Sequence, residues 1–190
     1  MGKVDEAVLL TRASGGDEVA FGELFARYQR PIYLYAERTC GCAAGDDIVQ
    51  ETFLAVLRPS GRFDPAKGTV AGYLFGIARH HVIKRLERHG ITLSEPPESI
   101  AADAIAPQDT PLEAIARERT IDVVRAAVRS LPPVYREVVA LCDLQELDYA
   151  TVAHVIRCPI GTVRSRLHRA RGLLLRKLAL APSVAETSRV

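Results

Sequence analysis

The strongest chemical signal in this sequence is a run of cationic side chains near its C-terminal end. Residues 161–180 contain five arginines, one lysine and no acidic residue, so their formal charge is +6. Solvated surface helices usually interleave acidic with basic residues, and an acid-free run of this length favours a polyanionic partner. Lysine and arginine neutralise phosphates and release the counterions condensed on nucleic acids. The pattern therefore predicts a nucleic-acid-binding surface.

Helical geometry divides this run into a buried and an exposed side. At about 100° per residue, Val163, Leu167, Ala170 and Leu174 fall together on one side. The side chains predicted to point away from them are Ser165, His168, Arg169, Gly172 and Arg176, with Arg164 and Arg171 beside them. An apolar stripe under a basic outer face indicates a helix that packs on its own domain while it contacts DNA.

The preceding segment completes a helix-turn-helix. Residues 149–156 have an apolar face, Asp148 can cap their first turn, and residues 157–159 form a short turn. A helix, a short turn and a basic helix form the unit that enters the major groove. Early residues of the second helix reach base edges, while other cations contact phosphates.

Other chemistry has little support in the sequence. No phosphate-binding loop, zinc-protease helix or nucleophile elbow is present, and the four cysteines form no C-x-x-C pair. We therefore predict no enzyme activity, cofactor or metal site. A thiol or metal sensor at Cys142, His154 and Cys158 remains an alternative. No apolar run approaches the roughly 20 residues that span a bilayer, so we expect no membrane insertion and a cytoplasmic protein.

Hydrophobic periodicity predicts an all-α fold. Helices are expected over about 21–35, 46–57, 69–88, 112–129, 134–143, 149–156 and 160–178, with Pro31 kinking or splitting the first. Residues 94–111 contain four prolines, and residues 94–118 carry a formal charge of −5, which is typical of a flexible acidic linker. The predicted organisation is a domain over 1–93, a linker over 94–111, a domain over 112–180 and a tail over 181–190.

Four stretches of the chain resemble one family of transcription factors. Residues 131–178 read LPPVYREVVALCDLQELDYATVAHVIRCPIGTVRSRLHRARGLLLRKL and resemble region 4 of the bacterial extracytoplasmic-function (ECF) sigma factors of the sigma-70 superfamily. Residues 17–33, 46–58 and 71–88 resemble region 2, with DEVAFGELFARYQRPIY, DDIVQETFLAVLR and AGYLFGIARHHVIKRLER. The matches follow the order of the family, with a linker between the two regions.

This resemblance implies a factor without catalysis of its own that binds core RNA polymerase and directs promoter-specific initiation. Region 4 would recognise −35 DNA through Arg164, Ser165, His168, Arg169, Arg171 and Arg176. Region 2 would melt the −10 element through Arg62, Phe63, Lys67, Arg79, His80, Lys84 and Arg85. Family members press a helix against polymerase that corresponds here to Asp46, Asp47, Gln50, Glu51 and Phe53. The family often has asparagine where this chain has His80, so its −10 preference can differ.

The resemblance also implies partners. Core polymerase would be contacted at its β′ clamp and β flap, promoter DNA at both elements, and an anti-sigma factor would control the protein. The acidic linker would thread toward the RNA path of polymerase. The main alternative is a helix-turn-helix regulator that binds DNA without contacting core polymerase.

Overall fold

The structure is a computed structural model that describes residues 5–41, 44–58, 63–94 and 121–180. Within these ranges the chain contains eight α-helices and no β-strand, which confirms the predicted all-α class. The helices are α1 (Glu6–Ser14), α2 (Glu18–Cys40), α3 (Gly45–Val56), α4 (Val70–Arg88), α5 (Ile121–Arg129), α6 (Pro133–Val139), α7 (Tyr149–Ile156) and α8 (Ile160–Leu180). A short 3-10 turn covers Pro65–Lys67, and a π-helical turn covers Ala140–Leu144. None of the helices described is both long and apolar enough to cross a membrane.

Short polar side chains determine where four of these helices begin. The side chains of Asp5, Asp17, Thr69 and Asp148 accept a hydrogen bond from a backbone N–H in the first turn of α1, α2, α4 and α7, at 2.9–3.0 Å. The first N–H groups of a helix have no partner within it, so each cap removes an unsatisfied donor.

Of the two predicted effects of Pro31, a kink or a split, the split does not occur in helix α2. The helix is continuous from Glu18 to Cys40 with Pro31 inside it. Its buried face extends on both sides of the proline, with Leu24 and Tyr28 before it and Ile32 and Tyr35 after it. Tertiary packing along this face outweighs the hydrogen bond that proline removes.

Two further elements were not predicted. Helix α1 buries Leu9, Leu10 and Ala13, although its nine residues are too few for a clear periodic signal. The predicted helix over 134–143 ends as an α-helix at Val139 and continues as the π-helical turn. Such turns widen a helix by one residue and redirect the side chains that follow.

Helices α1, α3 and α4 pack around α2, and these four helices form the N-terminal half. Tyr35 of α2 and Phe75 of α4 are nearly inaccessible, and their rings meet edge to face at a centroid distance of 5.6 Å. Helices α5–α8 form the C-terminal half, in which α6 and α7 both pack against α8. The buried face of α8 carries Val163, Leu167, Ala170 and Leu174, as periodicity predicts.

The two halves also pack against each other. Helix α7 lies along α4, and α6 lies against α2, so the two hydrophobic cores form one continuous cluster. Most of the predicted linker, the expected helical residues 112–120 and the tail over 181–190 lie outside the described residues. The division into domains at these boundaries stays a prediction.

Candidate functional site

Hydrogen bonds at both ends of α7 fix the geometry of the helix-turn-helix. Asp148 caps α7 and also accepts a hydrogen bond from the Thr151 hydroxyl at 2.7 Å. These bonds hold the pKa of Asp148 below its ordinary value. Arg157 ends α7 in the left-handed conformation, with φ 55° and ψ 52°, and its N–H bonds to the carbonyl of Ala153. The chain then enters α8 after Pro159, which cannot donate a backbone hydrogen bond.

The outer face of α8 carries the predicted DNA readers. Arg164, Ser165 and Arg176 are exposed, and His168 and Arg169 are half-buried. The guanidinium carbon of Arg164 lies 5.8 Å from the ring centroid of Tyr149 on α7, within range of a cation–π contact. The first part of this face therefore has one arginine oriented by the neighbouring helix.

One residue expected on this face is buried, and one expected beside it is paired with an acidic residue. Gly172 is buried, which corrects its predicted outward position. Arg171 forms an ion pair with Asp143 of the π-helical turn, at 2.6 Å between Nη2 and Oδ1, and only 14% and 7% of the two side chains are exposed. This pair raises the pKa of Arg171. The Arg171 side chain links α8 to the π-helical turn through this ion pair. The DNA-binding surface proposed below therefore does not include Arg171.

The predicted −10 loop surrounds a small cavity. Phe63 is half-buried and packs edge-on against Tyr73 of α4, at a centroid distance of 5.5 Å. The cavity of about 180 Å³ is lined by Phe63, Asp64, Lys67, Gly68, Thr69, Tyr73 and His154. Lys67 is exposed and lies 3.3 Å from Asp64. Arg62 lies outside the described residues.

The cations predicted on α4 divide into two pairs. His80 and Lys84 are exposed. Arg79 is half-buried and bonds through Nε to Glu137 of α6 at 2.8 Å, whereas Arg85 lies 3.3 Å from Asp47 of α3. The Asp47 side chain is 68% exposed, so water screens that second pair. In this conformation the Arg79 guanidinium is committed to a carboxylate of the C-terminal half.

The residues predicted to contact polymerase lie on α3 beside an apolar groove. Asp46, Asp47, Gln50 and Glu51 are exposed, while Phe53 is 3% exposed and forms part of the groove wall. The groove has a volume of about 610 Å³ and is lined by Phe21, Phe25, Gln29, Arg30, Tyr33, Asp46, Val49, Gln50, Phe53, Leu54 and Leu57. The Phe53 ring packs against the Phe25 ring at a centroid distance of 4.9 Å.

Two of the described cysteines, Cys40 and Cys142, have little thiolate character. Burial raises the pKa of Cys142 to about 12 and that of Cys40 to about 11. The thiolate is the reactive form, so both side chains are poor nucleophiles at neutral pH. Within 5–41, 44–58, 63–94 and 121–180, no three His, Cys, Asp or Glu side chains are arranged to hold a metal ion.

Sequence reasoning missed the acidic partners Glu137 and Asp143 and the exposed Leu54. Glu137 follows Val134 by three residues and precedes Leu141 by four, which places it on the buried stripe of α6 and its turn. A carboxylate on a buried stripe is a signal for a buried partner. Asp143 carries no such local signal, because its partner is 28 residues away.

Comparison with known proteins places both halves in one family. Residues 24–91 match the family model "Sigma-70 region 2", and residues 121–174 match "Sigma-70, region 4". An ECF RNA polymerase sigma factor, SigE of Mycolicibacterium smegmatis, is 33% identical over 170 residues, which are 86% of this chain and 65% of that protein. The ECF RNA polymerase sigma-E factor of Escherichia coli K12 is 29% identical over 182 residues, covering 89% of this chain and 92% of that protein.

Solved structures agree on the fold. CnrH, solved in complex with the cytosolic domain of CnrY, has a TM-score of 0.67 and 25% identity, covering 93% of this chain and 99% of that one. The sigma factor RpoE of Bartonella quintana, solved with the anti-sigma factor NepR, has a TM-score of 0.63 and 20% identity, covering 85% and 98%. Both conserved regions occur here in the family's order, and the chain belongs to the sigma-70 family of RNA polymerase sigma factors, in its extracytoplasmic-function group.

Proposed function

We propose that this sigma factor docks on core polymerase through the groove beside α3, reads −35 DNA with α8 and captures a −10 base beside Phe63. The observation that carries this proposal is the presence, in one chain, of a basic helix-turn-helix face and a separate apolar groove edged by acidic residues. The first surface suits nucleic acid and the second suits a basic protein partner with apolar anchors. The chain needs no catalytic group of its own, because polymerase supplies the chemistry.

At the −35 element, base contacts are assigned to Arg164, Ser165, His168 and Arg169, and Arg176 is assigned to a phosphate. Arg164 and Ser165 lie in the first turns of α8, the part of a recognition helix that reaches base edges. Arg176 lies near the other end of the helix and is exposed. A phosphate contact positions the protein without reading sequence.

At the −10 element, the cavity beside Phe63 is assigned to a flipped base. Flipping costs a few kcal/mol of stacking and pairing energy, which an aromatic-lined pocket offsets. The half-buried rings of Phe63 and Tyr73 supply stacking surface, and the exposed Lys67, His80 and Lys84 supply cations near the backbone. Arg62 stays in the proposed set on the resemblance alone. Arg79 and Arg85 belong to this set only when their ion pairs with Glu137 and Asp47 are broken.

The groove beside α3 is assigned to an apolar side chain of core polymerase. Leu54 and Leu57 line it and are each 43% exposed, so they form a contiguous apolar patch with the groove, and such patches mark interaction sites. The acidic side chains Asp46, Asp47 and Glu51 are exposed on the same helix. An apolar centre with a charged rim is typical of a protein–protein interface.

Run-off transcription with core polymerase and a promoter library tests this function. We expect initiation at a defined subset of sequences that share a −35 and a −10 element. Random initiation, or none at any sequence, would reject the proposal. Tight, sequence-specific DNA binding by the free protein, unaffected by core polymerase, would favour the helix-turn-helix regulator instead.

Tyr149→Ala should weaken −35 discrimination by about two- to fivefold, since an exposed cation–π contact is worth about 0.5–1 kcal/mol. The ring orients Arg164, so Tyr149→Phe should retain the discrimination. The measurement is run-off activity on promoters with single −35 substitutions. Arg164→Ala should lose the same preference, and adding Tyr149→Ala to it should change nothing further.

Arg176→Ala should reduce activity equally on every sequence, and a sequence-dependent loss there would contradict the phosphate assignment.

We also propose an anti-sigma partner. The support is that both similar structures described above contain a protein partner, and that the partner of RpoE is named as an anti-sigma factor. The groove beside α3 and the outer face of α8 are the surfaces whose occupation would block function.

A further inference from the structure

A cleft of about 530 Å³ lies between α4, α7 and the end of α3. It shares no lining residue with the groove beside α3. Its volume is in the range of pockets that hold small molecules. Half of its lining residues are basic and none is acidic; the basic ones are Arg58, Arg79, His80, His81, Lys84, His154 and Arg157. We call it the cationic cleft.

Most of the positive charge in the cationic cleft is not neutralised by carboxylates. In the part of the chain that the structure describes, Arg58, Lys84 and Arg157 form no ion pair. Arg79 differs from them, because it is paired with Glu137. A cleft lined by charges of one sign concentrates counter-ions. The three unneutralised side chains therefore favour an anionic occupant.

His81 responds to the charges in this cleft. Its pKa is below the ordinary value, chiefly because burial disfavours the charged form of the ring. Glu51 raises this pKa, whereas the nearby His80, Lys84 and Arg58 lower it further. The cations of the cleft thus act on one another, and a bound anion would reduce their mutual repulsion.

The cleft is open partly because a glycine occupies its wall. Gly76 of α4 lines the cleft, and a Cβ placed on it would meet no atom within 4 Å. A larger side chain at this position would therefore extend into open space. The wall also carries apolar and aromatic surface, from Tyr73, Ile77, Ile83 and Val155.

We propose that the cationic cleft binds a small anion with two or more adjacent phosphate groups, either an inorganic polyphosphate or a nucleoside polyphosphate. Guanidinium and ammonium groups form charge-assisted hydrogen bonds with phosphate oxygens. One phosphate group carries a charge of about −1.5 to −2, so three unneutralised cations match at least two such groups. The apolar wall provides a surface for a nucleoside.

This site goes beyond the assignment of −10 DNA, although His80 and Lys84 serve in both. A protein that binds single-stranded nucleic acid tracks its backbone along an extended basic groove. Here the cations line one pocket, and its walls come from both halves of the chain. Such an enclosed arrangement suits a compact ligand better than a continuous strand.

Isothermal titration calorimetry of the free full-length chain tests the site, with ATP, inorganic tripolyphosphate and AMP as ligands in about 0.15 M salt. We expect one site per chain and, for at least one polyphosphate, an affinity at least about tenfold above that of AMP. Tighter binding of ATP would identify a nucleoside polyphosphate, and equal or tighter binding of tripolyphosphate an inorganic one. No saturable binding, several equivalent sites, or equal affinity for AMP would overturn the proposal. Because neither DNA nor polymerase is present, this outcome is independent of sigma activity.

Gly76→Leu should fill the cleft and weaken polyphosphate binding at least about tenfold. Leucine is a better helix former than glycine, so the fold should be retained, as checked by circular dichroism. The matched control is Gly22→Leu on α2, where a Cβ also meets no atom within 4 Å and the cleft is not involved. Equal affinities for the two variants would place the ligand elsewhere and overturn the assignment. So would a short single-stranded oligonucleotide that binds more tightly than either polyphosphate and is lost in Gly76→Leu, since the cleft would then bind nucleic acid.

Removal of one charge gives an independent measurement. Arg157→Asn should weaken binding about tenfold, since a hydrogen bond to a charged group is lost. Asparagine readily adopts the left-handed conformation of this position, so the turn is retained. Arg129→Gln removes the same charge from the exposed end of α5, outside the cleft, and should leave the affinity unchanged. Equal losses in the two variants would indicate only long-range attraction and would contradict a built site.

Discussion

Leu54→Glu should reduce the affinity of this sigma factor for core polymerase by about 30-fold or more, because a charge would enter an apolar contact at the centre of an interface. Leu54 lines the groove beside α3 together with Phe53, and its side chain is 43% exposed in the free chain. A glutamate there stays hydrated before docking, so the fold should lose no more than about 0.5 kcal/mol. Run-off initiation should fall with the affinity.

The matched control is Val8→Glu. Val8 is 50% exposed on α1, in the same half of the chain, and does not line the groove. It receives the same charge on an exposed apolar position. We expect wild-type polymerase affinity for this variant, measured by titration of core polymerase with labelled sigma factor. Equal losses in the two variants would indicate a nonspecific effect of charge and would remove the groove from the proposed interface.

Asp143→Ala should destabilise the protein by about 3–5 kcal/mol, because it leaves the Arg171 guanidinium buried without its partner. Only 14% of the Arg171 side chain is exposed, and both of its bonds to Asp143 would be lost. The free energy of unfolding is measured by urea titration followed by circular dichroism. Replacing both partners with apolar residues, as Asp143→Leu with Arg171→Met, should recover most of the loss.

The control for this prediction is Asp122→Ala. Asp122 lies 3.3 Å from Arg125 on α5, and the two side chains are 90% and 45% exposed. An exposed pair of this kind contributes about 0–1 kcal/mol. If Asp143→Ala instead changed stability by less than about 1 kcal/mol and strengthened −35 binding, then the released Arg171 would be acting on DNA, as the sequence predicts.

Helical periodicity predicted the long elements of this chain and the orientation of α8, because a buried stripe repeats at fixed spacing. It failed where the decisive interaction is distant in sequence. Pro31 is accommodated inside α2 because buried side chains lie on both sides of it. Tyr35 and Glu137 are 102 residues apart and Arg79 and Glu137 are 58 apart, so no local window contains either pair.

In the candidate site, too, the sequence predicted features that depend on local spacing and missed those that depend on contacts distant in sequence. The family resemblance implied Arg164 and Ser165 as −35 readers, and both side chains are exposed on α8. Residue types alone could not separate them from Arg171 and Arg79, which belong to equally basic segments. Arg79 and Arg171 each have a carboxylate nearby in space, that of Glu137 and that of Asp143. The packing of α6 and its π-helical turn determines where these two carboxylates lie.

The packing of α7 on α4 also limits the length of promoter that the free chain can reach. The positions −35 and −10 are about 25 base pairs apart by their numbering, which is about 85 Å of duplex at about 3.4 Å per base pair. A compact chain of this length has a radius of gyration of about 16 Å and a diameter of about 40 Å. Residues 95–120 can span at most about 90 Å when fully extended. A molecule folded on itself therefore cannot bridge both elements, so free copies would not compete with assembled polymerase for complete promoters.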